Sequence, residues 1–132
     1  MKYDEFMGQV QSRAKLSSLE DAVKAARATL ETISERLPAG EREHLASQLP
    51  DEIARFMKMD QEIDKYSIDE FFDRVTEREG TRKPDAVFHA RAVLDVLQDA
   101  VTKGEADDVK AQLPEEFQTL FESGSEGKLE FE

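Results

Sequence analysis

The sequence predicts an all-α protein of about eight helices, and three observations support this prediction. Residues with high helix propensity, chiefly Ala, Leu, Glu, Lys, Arg and Gln, dominate the chain. Apolar residues recur at helical spacing in two long segments, with Ser, Gly and Pro near their boundaries. The same order of stripes and boundaries occurs twice, which indicates a tandem duplication of a four-helix unit.

The duplication is predicted from short motifs that recur at a shift of 64 or 65 residues. The pairs are Asp4-Glu5-Phe6 with Asp69-Glu70-Phe71, Ala26-Arg27-Ala28 with Ala90-Arg91-Ala92, Gly40-Glu41 with Gly104-Glu105, and Gln48-Leu49-Pro50 with Gln112-Leu113-Pro114. We therefore predict copy one at residues 3–57, a linker at 58–66 and copy two at 67–121. Because a unit of about 55 residues is marginal alone, we expect one helical domain, 1–121, with a frayed tail at 122–132.

The first two helices of each copy carry different start signals. The first is expected from about Lys2 to Ala14 and from Ile68 to Glu79, and only the second has a capping box, at Ser67. The long second helix is expected to begin after Ser17 or Ser18 in copy one and with Pro84 as its first residue in copy two. Its predicted core stripes are Ala22, Ala26, Thr29, Leu30, Ile33 and Leu37, and Val87, Ala90, Val93, Leu94, Leu97 and Val101.

Glycine and proline mark the boundaries of the shorter helices. Gly40 and Gly104 are expected to end the long helices or to cap the next ones. Pro50 and Pro114 are expected to stop the third helix, direct the preceding Leu into the core and open the fourth helix as its first residue. The sharper alternative for the two Gln-Leu-Pro segments is a corner that docks a peptide.

Charge and composition exclude several classes of protein. The net charge is −12 and no cluster of Lys and Arg stands out, which disfavours binding to nucleic acid or to an anionic membrane. There is no cysteine, and acidic residues lie where a signal peptide needs an apolar run. No segment approaches the ~18 apolar residues of a membrane span. We therefore expect a cytoplasmic protein, with its oligomeric state left open.

The tandem motifs give the chain a resemblance to a known family. The opening Tyr3-Asp4-Glu5-Phe6, the segment Ala26-Arg27-Ala28-Thr29-Leu30, the Gly-Glu pairs and the two Gln-Leu-Pro turns resemble the family domain of unknown function 2267, over about Met1 to Phe121. The resemblance implies a prokaryotic, all-helical protein. It implies no activity and no catalytic residues.

One short motif suggests a metal site. Glu41 and His44 have the Glu-x-x-His spacing of carboxylate-bridged di-iron bundles. Such bundles need a second copy of the motif, and the corresponding residues, Glu105 to Asp108, lack the histidine. We therefore interpret Glu41 and His44 as a solvated helix start and predict no metal ion and no cofactor.

The long helices carry the other candidate residues. His89, beside Phe88, lies at the edge of the apolar stripe, where we expect a partly buried, hydrogen-bonded side chain whose partner the sequence does not name. Arg27 and Arg91 recur in both copies, each four residues before an acid, which predicts i,i+4 pairs with Glu31 and Asp95.

These observations favour binding over catalysis. Motifs typical of nucleotide sites, metalloproteases and serine hydrolases are missing from the sequence, so we predict no enzyme activity and no catalytic residue. We expect a helical interaction or structural protein with a protein partner, associated with stress. The alternative is a small-molecule or metal binding domain with a pocket between the two long helices. Its candidate binding residues are Phe88, His89, Arg91 and Arg27.

Overall fold

The chain forms eight helices and no strand in the computed structural model, which describes residues 1–122. The helices are α1 Tyr3–Arg13, α2 Leu19–Arg36, α3 Ala39–Ser47, α4 Asp51–Ala54, α5 Ile68–Glu79, α6 Lys83–Ala100, α7 Lys103–Ala111 and a 3-10 helix at Glu115–Phe121. The predicted all-α fold is therefore confirmed. Of the predicted tail, residues 123–132 lie outside the described part. Within that part, no helix combines the length and the hydropathy needed to cross a bilayer.

Side-chain caps fix where three of the helices begin. Ser18, the second of the two candidate serines, accepts a hydrogen bond at 3.1 Å from the backbone N–H three residues on. Ser67 caps α5 in the same way at 3.2 Å, as its capping-box pattern predicted. Thr102 caps α7 at 3.1 Å, and this cap was not predicted from the sequence. Each cap satisfies one of the backbone donors left open at a helix start.

The prediction for the two boundary glycines is wrong. Gly40 and Gly104 each lie in the first turn of the following helix, after the N-caps Pro38 and Thr102. The helix α2 ends instead because Leu37 adopts an extended backbone, with φ −97° and ψ 148°. These glycines therefore serve neither as helix stops nor as caps.

Prolines open helices one position away from where they were predicted. Pro84 is the second residue of α6 rather than the first, and Pro50 and Pro114 are N-caps rather than first residues. Proline lacks an N–H that a cap or first turn does not need, so both positions tolerate it. Leu49 and Leu113, which precede Pro50 and Pro114, are buried, as was predicted for a helix stop that directs the leucine into the core.

The order of elements from α1 to α4 recurs from α5 to the 3-10 helix. Both long helices have 18 residues, and α3 and α7 both have nine. The starts of α1 and α5, at Tyr3 and Ile68, and of α2 and α6, at Leu19 and Lys83, follow the shifts of 65 and 64 found in the sequence. A common origin of the two units by duplication stays a prediction.

One hydrophobic cluster draws buried residues from both halves of the chain. The helix α2 packs against α1, α5 and α6, while α6 also contacts α1, α5, α7 and the 3-10 helix. An aromatic group made of Tyr66, Phe71 and Phe117 lies within this cluster, with ring centroids 6.0–6.4 Å apart. The two long helices thus lie in the middle of the core, where their predicted stripes are buried except at Val101, which is partly buried.

Buried arginine holds the connection between the halves. Residues 58–66 form neither a helix nor an extension of α5. The guanidinium of Arg42, fully buried, donates to the carbonyls of Lys58, Met59 and Gln61 at 3.3, 3.2 and 2.6 Å. Backbone carbonyls on a turn need such donors when they lie against the core. The connection is therefore fixed by specific hydrogen bonds.

A buried carboxylate joins α2 to α5. Glu35, 5% exposed, accepts hydrogen bonds from Arg74 at 3.1 Å and from both terminal nitrogens of Arg78 at 2.9 Å. Tyr66 lies beside this group, and its hydroxyl donates to the Thr32 carbonyl at 2.5 Å. Burial raises the pKa of the Tyr66 phenol, with the charge of Glu35 adding to the shift. This polar group ties the two halves together inside the core.

Candidate functional site

His89 makes a hydrogen-bonded pair with a carboxylate from the preceding helix. Its Nδ1 lies 2.5 Å from Oε2 of Glu79, and the two side chains are 12% and 6% exposed. The prediction of a partly buried, hydrogen-bonded histidine is confirmed. The partner is Glu79, the last residue of α5.

A left-handed glycine positions this pair. Gly80 has φ 76° and ψ 37°, and its N–H donates to the Thr76 carbonyl at 2.9 Å, which ends α5. Glycine adopts this backbone without the steric cost that a Cβ brings. Two further residues, Thr81 and Arg82, lead into α6, so that Glu79 and His89, ten residues apart, come together beside the turn. The hairpin of α5 and α6 is thus what brings them into contact.

A cavity of about 210 Å³ adjoins the pair, and we call it the His89 cavity. Besides Glu79 and His89 it is lined by Leu16, Asp21, Lys24, Gly80 and Thr81. Its walls therefore come from the α1–α2 loop, α2, the end of α5 with its turn, and α6. The lining contains two carboxylates, one lysine and the imidazole.

The other predicted binding residues are not part of this lining. Phe88 is half-buried and contacts the His89 ring with centroids 6.1 Å apart. Buried Arg91 donates to the Glu122 carbonyl at 2.7 Å, and burial lowers the pKa of its guanidinium. Arg27 is exposed and lies over the Phe56 ring, 5.1 Å from its centroid. Of the four candidates, only His89 lines the cavity.

The acid expected to pair with Arg91 has a different partner. Asp95 accepts a hydrogen bond from Arg13 of α1 at 2.5 Å, and Arg13 also bonds Asp99 at 2.8 Å. These acids raise the pKa of the Arg13 guanidinium, against the lowering effect of its burial. Asp95 thus joins α6 to α1.

A second group of titratable side chains lies where α3 meets α7. We call Glu41, His44 and Glu105 the Glu41 cluster, since their ligand atoms all lie within 4.8 Å of one another. Glu41 and Glu105 are buried, at 8% and 5% exposed, while His44 is exposed. The prediction of a solvated helix start is therefore wrong for Glu41. Glu105 comes from the other half of the chain, at the position that corresponds to Glu41.

Burial changes the protonation of this cluster. It raises the pKa of Glu105 to about 8, with further contributions from a hydrogen bond to Glu41 and from the negative charges of Glu41 and Asp108. Two carboxylates in contact cannot both ionise cheaply, so one of them keeps a proton. The sequence held a signal for this contact, because Gly40-Glu41 and Gly104-Glu105 match. The missing second histidine pointed away from a shared site, although the two matching glutamates lie together.

The first Gln-Leu-Pro corner borders an open groove. The groove, of about 600 Å³, lies between the start of α1 and the residues around Gln48. Gln48 Oε1 accepts a hydrogen bond from the Thr102 N–H at 2.8 Å, which joins this corner to the start of α7. The matching contact from Gln112 would need an N–H at Pro38, which proline lacks. Peptide docking at the corner stays a prediction.

Comparison with known proteins assigns the chain to a family. A family model described as "Uncharacterized conserved protein (DUF2267)" matches residues 3–120. Comparison with curated proteins gives no significant match. The matched range includes α1 to α7 and nearly all of the 3-10 helix, and it confirms the resemblance found in the sequence. The chain therefore belongs to the DUF2267 family.

Proposed function

We propose that this protein is a non-catalytic binding protein that takes a small molecule with a protonated amine into the His89 cavity. The observation that carries the proposal is the buried Glu79 carboxylate. Its Oε2 bonds His89, while Oε1 has no hydrogen-bond partner among residues 1–122. A buried carboxylate oxygen without a donor is costly, and an ammonium group supplies the missing donor and charge.

The position of Glu79 favours a cationic ligand. The last turn of a helix presents carbonyl oxygens and a partial negative charge, so a glutamate there is repelled by its own helix. Asp21 adds a second carboxylate to the lining. Lys24, whose positive charge would balance one of the two carboxylates, is exposed to solvent. The lining therefore contains two carboxylates and only one lysine.

The cavity limits the size of the ligand. At ~30 Å³ for each water molecule in the liquid, its 210 Å³ corresponds to about seven waters. An amine with a few carbon atoms fits this space, with Leu16 offering it an apolar contact.

Binding without catalysis is the simplest use of this arrangement. A histidine–carboxylate pair becomes catalytic when a positioned nucleophile or substrate accompanies it. The hydrogen bond that the structure gives His89 is to Glu79. The role of interaction protein, predicted from the sequence, has weaker support, because the large hydrophobic side chains exposed within residues 1–122 are Leu19 and Met59. An association with stress stays a prediction.

Titration with ethylamine and ethanolamine, followed by proton NMR of the imidazole signals, tests the proposal. The chain contains two histidines, and only His89 lines the cavity, so His44 serves as an internal reference. We expect the His89 signal to shift in a saturable way while the His44 signal stays constant. Acetate, the matched anion, should shift neither. A hundred-fold excess over Kd should stabilise the fold by about 2.7 kcal/mol.

Two substitutions on α5 complete this test. Glu79→Gln removes the buried charge and should abolish the shift, whereas Glu77→Gln removes an exposed charge nearby and should leave it unchanged. Equal shifts of both histidines, or an unchanged response in Glu79→Gln, would show that the amine does not bind in the cavity.

A further inference from the structure

We infer that Glu41, His44 and Glu105 form a binding site for one divalent transition-metal ion, at the contact between α3 and α7. This site shares no residue with the His89 cavity, and it goes beyond the proposed amine binding. Its ligands come from two helices, two from α3 and one from α7.

The helices already place three ligand atoms close together. Glu41 and His44 are three residues apart and share one face of α3. Glu105 faces them from α7, and the ligand atoms of all three lie within 4.8 Å of one another. A tetrahedral ion with bonds of about 2.1 Å needs its ligands about 3.4 Å apart. Rotation of the exposed His44 imidazole and of the two carboxylates can bring the ligand atoms to this separation without moving the helices.

Unsatisfied oxygens distinguish this group from an ordinary acidic surface. Oε2 of Glu41 and Oε2 of Glu105 are both buried, and no nitrogen or hydroxyl group among residues 1–122 donates a hydrogen bond to either oxygen. Both side chains are more than nine-tenths buried. A divalent cation between the two carboxylates would give each of these buried oxygens a positively charged partner.

The donor set selects a class of ion. An imidazole ligand suits Zn²⁺, Fe²⁺, Ni²⁺ and Cu²⁺ better than Mg²⁺ or Ca²⁺, and the chain offers no thiolate for soft ions. Three protein ligands leave at least one position open for water. Asp108 lies one turn beyond Glu105, and its charge acts on Glu105. A cation at the cluster would therefore gain from a third carboxylate close by.

Isothermal titration of the full chain with ZnCl₂ tests this inference. We expect one Zn²⁺ per chain, since the described residues place one such cluster together. The His44 imidazole signals should shift while those of His89 do not. MgCl₂ at the same concentration should produce neither the shift nor the heat.

Variants on both helices decide where the ion binds. His44→Ala changes an exposed residue that the fold does not need, and it should weaken zinc binding at least ten-fold, as should Glu105→Gln. The matched controls, Glu43→Gln and Asp107→Asn, remove exposed acids on the same two helices and should leave the affinity unchanged. Zinc binding that is equally tight in His44→Ala, or absent from the wild type, would overturn the inference.

Discussion

At the scale of single residues, the structure adds long-range partners that the sequence could not name. His89 was predicted to be partly buried and hydrogen-bonded, yet nothing in its neighbourhood along the chain identified Glu79. The contact depends on a left-handed Gly80 and a tight turn between two helices, and a helical pattern does not encode the angle of such a turn. Asp95 shows the same limit, because its partner, Arg13, belongs to another helix.

The protonation of Glu105 predicts a pH dependence of stability in the metal-free protein. Its pKa rises from an ordinary value near 4.5 to about 8 on folding, so the folded state binds the proton more tightly. The stability from this group is fully present below about pH 4.5 and is lost as the pH rises to about 8. The negative charges of Glu41 and Asp108 disfavour ionisation of Glu105 and so contribute to this shift.

Replacing Glu105 measures this effect. Glu105→Gln, which mimics the neutral acid, should remove the loss of stability between pH 5 and pH 8 and should exceed the wild type in stability at pH 8. Urea denaturation at several pH values with a chelator present would show this. Parallel pH profiles for the two proteins would contradict the shifted pKa.

At the scale of helices, local signals predicted most of the boundaries. Ser67, the cap of α5, was identified from its own short motif, and α5 has the predicted range. The failures are at Gly40 and Gly104, because a glycine near a boundary can serve as a stop, a cap or a first-turn residue. The extended backbones of Leu37 and Val101 end the two long helices before either glycine is reached, and a helical pattern does not predict where this change of backbone occurs.

The two adjacent serines before α2 provide a matched test of a helix cap. Ser18→Ala removes the oxygen that accepts the first-turn N–H, and it should lower the free energy of unfolding by about 1 kcal/mol. Ser17→Ala, at an exposed neighbouring position, should change it by less than about 0.5 kcal/mol. Chemical denaturation of both variants compares them directly. Equal losses would argue against the cap.

At the scale of the whole molecule, the fold class and the order of elements were predictable, since both rest on periodicity. That both halves share one hydrophobic cluster was expected only because a unit of about 55 residues is marginally stable alone. The segment 58–66 carried no periodic signal, and its structure depends on buried Arg42, which sits on α3. The polar group around Glu35 was missed for the same reason, because its arginines are more than 35 residues away along the chain.

Removing the charge of Glu35 should loosen the contact between the halves. Glu35→Gln leaves two arginines without their buried counter-ion, and since both are partly exposed we expect a loss of about 2 kcal/mol rather than the full cost of a buried pair. Glu77→Gln, which changes an exposed acid on α5, should cost less than about 0.5 kcal/mol. Thermal and urea unfolding measure both. A loss as small for Glu35 as for Glu77 would show that the ion pairs add nothing to stability.

The meeting of Glu41 with Glu105 has a consequence for how any ligand there responds to dilution. The two glutamates belong to one polypeptide, joined through a connection that Arg42 holds in place. A site assembled from two separate subunits loses its ligands when the protein concentration falls, whereas this one forms within a single molecule at a fixed effective concentration. An ion bound between α3 and α7 would therefore be held with the same affinity at nanomolar as at micromolar protein.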